Sequence, residues 1–302
     1  MRSVLFCSTL FLAVASVAFG ADKPVTIRFQ AQVGEEAFAC GRQYEGIGVT
    51  KSKISGRDFR FYVSNVRLLD SLGKETPVEL DQDGKWQLDD LALLDFEDGT
   101  AHCSNGTPEM NRQITGKVPE GSYTGLRFTL GVPFNNNHAD PLTQPSPLNL
   151  TALFWVWNAG HKFARIEFAS TGTPRGFFVH LGSTGCTPND TKVTIPSSCK
   201  SPNRVEVNFP SFDPSHDTVI ADLLALLQNT NVDATQNRVE ANTEGPTPVG
   251  AGCMSGPDDA DCAGLFLNFG LPFGGRPATE QKFFRVGKAP FTDPSVQAAA
   301  KH

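Results

Sequence analysis

Apolar and polar residues alternate with a period of two at Val25–Ala31, Phe59–Leu69, Ser122–Leu130, Ala152–Trp157, Phe163–Phe168, Gly176–His180 and Arg204–Phe209, and clusters of Gly, Pro and Asn separate these runs. Successive side chains of a strand point to opposite faces, so this pattern marks strands with one face buried. Many short strands between turn signals predict an all-β fold, a β-sandwich or a barrel-like arrangement with long loops. No βαβ rhythm, internal repeat or glycine pattern of the Rossmann or phosphate-loop type occurs. One segment departs from the period of two. Asp217 is placed to cap a helix over Thr218–Gln228, in which Val219, Ile220, Leu223, Leu224, Leu226 and Leu227 supply a broad apolar face. It is the one short helix expected. The stretch Asn229–Asp261, rich in Asn, Thr, Gly, Pro and Asp, reads as a long surface loop, and the residues from about Pro290 onward read as a frayed tail. No shift in composition divides residues 21–302, which are expected to form a single domain.

The start of the chain changes the compartment. Residues 1–20 carry an early basic residue, Arg2, an apolar run from Val4 to Phe19, and small residues at the end, which is the pattern of a cleaved export signal. The run is too short for a convincing membrane span. A periplasmic or secreted protein is therefore expected, without a membrane span in its mature form. Cys7 leaves with the signal, and Cys40, Cys103, Cys186, Cys199, Cys253 and Cys262 remain. An even number in an exported chain points to disulfides, and no CxxC spacing favours a thiolate metal site. Short loops close at least entropic cost, which favours Cys186–Cys199 and Cys253–Cys262 and leaves Cys40–Cys103. The net charge of −6 comes without a Lys or Arg cluster, which argues against nucleic acid or an anionic membrane as partner.

Two of the three tryptophans, Trp155 and Trp157, lie two residues apart, so on a strand they would share a face, with His161 just beyond. Indole is readily oxidised and imidazole binds transition metals. The pair thus points to a metal or redox site, against the plainer reading of a sandwich core or a sugar-stacking platform. His138, in a polar turn after an expected strand, and His180, at the end of another, sit where a rigid scaffold can present a ligand. Asp89, Asp90, Asp95, Glu97 and Asp98 form an acidic stretch that would suit calcium, although its spacing is not that of an EF-hand. Gly182-Ser183-Thr184-Gly185-Cys186 is not a nucleophile elbow, no HExxH occurs, and no enzyme activity is expected.

Taken together, Asp58–Leu68, Ala92–Gly99, Gly131–Phe134 with Asn137-His138, Trp155-Val156-Trp157 and His180–Cys186 resemble the exported MbnP-like proteins of the metallo-mystery pair system. The resemblance implies a periplasmic copper-binding protein encoded beside a di-haem c-type cytochrome of the MauG-like group. That partner oxidises a tryptophan to kynurenine, which joins histidines in binding copper. Carried onto this chain, the altered residue would be Trp155 or Trp157, and the ligands His138 and His180, with His161 as a third candidate. The oxidant has to be external, because the chain has no CxxCH haem motif. An adhesion or glycan-binding sandwich and a calcium-stabilised scaffold are the alternatives.

Overall fold

The computed structural model describes residues 21–155, 160–187, 196–235 and 251–288. The expected export signal, Trp157 and the tail from Pro290 lie outside the described residues, as does much of the expected loop after Asn229. The strand Asp22–Val33 alternates as its sequence requires, with Ile27, Phe29, Ala31 and Val33 buried. It pairs antiparallel with Gln113–Pro119 and parallel with Asp217–Asp222, within a six-stranded sheet. The long strand Ser52–Leu69 organises a ten-stranded sheet. Along its length it pairs with Leu91–Asp95, Gly125–Leu130 and Ala164–Ser170. Phe177–Leu181 follows on the far side of Ala164–Ser170.

The two sheets face each other as a sandwich with a phenylalanine core. Phe29 of the six-stranded sheet packs edge-on against Phe61 and Phe128 of the ten-stranded one, with ring centres 6.2 and 5.7 Å apart. Phe284 meets Phe128 at 5.2 Å in the same manner. Edge-to-face rings satisfy the aromatic quadrupoles while filling the space between sheets. The described residues form no closed barrel. The three expected disulfides, Cys40–Cys103, Cys186–Cys199 and Cys253–Cys262, are all present. No helix among the described residues is long and apolar enough to cross a membrane.

Three expectations need correction. The helix over Thr218–Gln228 is largely a strand, Asp217–Asp222, followed by a single helical turn, Leu223–Leu227. Thr218, Val219 and Ile220 are β-branched and buried on both faces of the sheet, and a continuous apolar run has no period to betray its secondary structure. The cap is Asp222 rather than Asp217, its carboxylate accepting from the N–H groups of Leu224 and Ala225. Of the strand expected over Ala152–Trp157, the described residues begin with a 3₁₀ turn, Thr151–Leu153, and among them Phe154 makes a β-bridge, to His161. The expected loop after Asn229 also contains ordered structure. Ala251–Cys253 adds parallel to Phe177–Leu181, and beyond the loop Cys262–Phe269 forms a further helix, ended by Gly270 at φ +78°.

Candidate metal centre

The bridge between Phe154 and His161, together with the hydrogen bond from the Trp155 N–H to the Gly160 carbonyl at 3.0 Å, closes the base of a narrow hairpin. Gly160 has φ +78°, and a Cβ there would lie 2.6 Å from the Asn137 carbonyl oxygen. Glycine thus lets the hairpin rest against the end of the short helix Phe134–Asn137. The indole of Trp155 lies on Gly182 in the same way: an added Cβ would be 2.4 Å from Cζ3. The hairpin base is therefore seated between Asn137, the neighbour of His138, and Gly182, two residues beyond His180.

Asn137, fully buried, joins these parts. Its carbonyl accepts from the His161 backbone N–H and faces His161 Nδ1 at 2.9 Å. Its side-chain oxygen accepts from the His161 N–H at 2.9 Å, which leaves the amide nitrogen to donate to His138 Nε2 at 3.1 Å. His161 itself is fully buried, with Nε2 3.1 Å from the Leu148 carbonyl and the ring edge-on to Phe154 and Tyr62. Burial lowers its pKa, against the two backbone carbonyls that its ring nitrogens face. His138 is buried beside the Cys186–Cys199 bridge, its Nε2 3.5 Å from Cys199 Sγ. His138 and the two sulfurs lie within 4.8 Å of one another, but sulfurs joined in a disulfide are not thiolate ligands.

His180 sits on the opposite face of its strand from the core residues Phe177, Val179 and Leu181. A buried layer of charge runs along this face. The guanidinium of Arg60 is bonded to Asp58, and Asp58 in turn lies 3.1 Å from Arg165 Nε. Arg165 Nε donates to Glu167 Oε1 at 2.6 Å, and the same oxygen is 2.7 Å from His180 Nε2. Burial opposes ionisation of Glu167, but the hydrogen bonds from His180 and Arg165 outweigh it and hold its carboxyl at about 2. Burial pushes the His180 pKa down against the pull of Glu167, which favours a neutral ring. Lys162 is lowered to about 8, by burial and then by Arg165. Lys162 and Arg165 both donate to the Ala152 carbonyl at 3.0 Å, tying the approach to Trp155 onto this layer.

The backbone around His180 is held as firmly as its ring. Ser255 Oγ donates to the His180 carbonyl at 2.9 Å and accepts from the Gly182 N–H at 3.0 Å. Asn203 donates to the Gly182 carbonyl at 2.8 Å. Both residues are buried and both have positive φ, +63° for Ser255 and +51° for Asn203, a conformation costly for side chains and concentrated at sites that need it. Sequence reasoning gave no role to Glu167, Asn203 and Ser255, and Asn137 entered only as part of the Asn137-His138 motif. Of the first three only Glu167 carried a signal, since it alternates in register with Arg165 on an expected strand. The acidic stretch is different from a calcium loop: Asp95 and Glu97 are buried near Arg60, which supplies the cation, while Asp89 and Asp90 are exposed.

Comparison with known families matches residues 22–255 to MbnP. Among solved structures, MbnP from Methylosinus trichosporium is similar, with a TM-score of 0.77 and 31% identity, covering 89% of this chain and 100% of that one. Comparison with curated proteins gives no match.

Proposed function

The chain belongs to the MbnP family, and from that premise we propose that it is an exported copper-binding protein whose one site joins His138, His180 and an oxidised Trp155 or Trp157. The observation that carries this reading is the seat of the hairpin. Its base contacts Asn137 on one side and Gly182 on the other, so the tryptophan segment adjoins the immediate surroundings of both histidines. The donor set fits copper. Buried imidazole nitrogens suit copper better than the hard cations calcium and magnesium. Binding through His138 Nε2 would displace the Asn137 amide, beside the Cys199 sulfur at 3.5 Å. His161 is left out of the ligand set, because both of its ring nitrogens face backbone carbonyls.

Intact indole has an N–H donor and no lone pair to offer a metal. Oxidative cleavage of the pyrrole C2–C3 bond, with oxygen kept as a ketone at C3 and C2 released as formate, would leave kynurenine's aniline nitrogen and ketone oxygen as donors. The oxidising equivalents would come through the partner, a di-haem c-type cytochrome of the MauG-like group. The protein is thus the substrate of that partner and a carrier of copper, not an enzyme. Its place of action is the periplasm or beyond.

Copper titration of His138→Ala, His180→Ala and the double variant tests the proposal, using protein co-expressed with the di-haem partner. Each single change should abolish most of the binding, and the double change should add little, because ligands of one ion are coupled. His102→Ala and His216→Ala, at exposed positions, should bind as the parent does. Tandem mass spectrometry of the same samples should find kynurenine at Trp155 or Trp157 and intact indole at Trp86. Full copper stoichiometry in the double variant would overturn the ligand assignment.

A further inference from the structure

Glu167 Oε1 faces two nitrogens, Arg165 Nε at 2.6 Å and His180 Nε2 at 2.7 Å. A guanidinium N–H only donates, and a carboxylate only accepts. For the His180 contact to be a hydrogen bond, Nε2 has to bring the hydrogen. A neutral imidazole carries one such hydrogen, so the lone pair is left on Nδ1. We propose that Glu167 is a positioning residue for the copper site: it fixes His180 in the Nε2–H tautomer and thereby makes Nδ1 the ligand atom. The inference rests on the copper reading of His180.

The surroundings separate this pair from an ordinary surface contact. The His180 and Glu167 side chains are 9% and 10% exposed, and the Arg165 Nε that donates to Glu167 also lies 3.1 Å from the buried Asp58 carboxylate. The His216–Asp213 pair has nearly the same separation, 2.8 Å, but its side chains are 77% and 52% exposed. Water competes for the second pair and is kept from the first, so only the buried carboxylate can hold one ring orientation. The Ser255 clamp fixes the His180 backbone from the other direction. A carboxylate that orients a ligating imidazole typically contributes about 10- to 100-fold in metal affinity.

The first test needs no variant and no metal. A long-range proton–nitrogen NMR spectrum of the copper-free protein should assign the hydrogen of His180 to Nε2, and a hydrogen on Nδ1 overturns the proposal. The second compares copper affinity by competition with a chromophoric chelator. Glu167→Gln keeps an acceptor oxygen and should stay within about threefold of the parent, whereas Glu167→Met should weaken binding about 10- to 100-fold and lose the single tautomer. Parent-like affinity in a folded Glu167→Met protein, alongside a His180→Ala protein that loses copper, overturns the role of Glu167 alone. Full copper binding by His180→Ala overturns the reading on which the inference rests.

Discussion

Asp95 and Glu167 show how the same burial drives two carboxyls apart. Asp95 is raised to about 8, chiefly by burial, with Arg60 giving only partial relief. Glu167 is held at about 2, because direct hydrogen bonds from His180 and Arg165 exceed the cost of burial. The signs for stability are opposite. An unfolded aspartate titrates near pH 4, so between about pH 4 and 8 the folded state holds an extra proton on Asp95 and stability falls as pH rises. Glu167 contributes stability above about pH 4, which is lost as pH falls through 2. Asp95→Asn should therefore flatten the decline in denaturant stability between pH 5 and 9, and the variant should exceed the parent most at pH 9. Parallel curves for the two proteins over that range would contradict the assignment to Asp95.

Among the structural elements, the segment His180–Gly182 is held by residues distant in sequence. Ser255 stands 75 positions from His180 yet serves both its carbonyl and the Gly182 N–H. Ser255→Ala leaves both groups buried with that partner gone, which should cost about 1–3 kcal/mol in chemical denaturation and weaken copper binding. An unchanged midpoint and affinity would show that the clamp is dispensable. This element also shows what was legible in the sequence. The run Gly176–His180 marked a strand with His180 at its end, and one strand end is a local property. Glu167 lay on another recognisable strand, but its contact with His180 depends on register between strands. Ser255 and Asn203 had no local signal, since a left-handed backbone at a serine or asparagine is imposed by the surrounding fold. The strand Asp217–Asp222 was misread for the complementary reason: with both faces buried, apolar residues no longer alternate. The disulfides were legible because two of them close short loops, 13 and 9 residues in separation, and the third followed by elimination.

At the scale of the molecule, the sandwich spends its two sheet faces differently. The inner face of the ten-stranded sheet meets the phenylalanines of the six-stranded sheet, and its other face carries the charged layer that ends at His180. The alternating pattern made this all-β division readable, whereas strand order and the seating of the hairpin depend on contacts far apart in the chain. The account's central claim is that His138, His180 and the tryptophan hairpin converge on one copper ion. Anomalous diffraction at the copper absorption edge, from crystals of protein co-expressed with the di-haem partner, tests it most directly. The account predicts one strong peak within bonding distance of His138, His180 and the oxidised residue at 155 or 157, with Nδ1 as the His180 ligand. A peak elsewhere, or one that excludes either histidine, would contradict it.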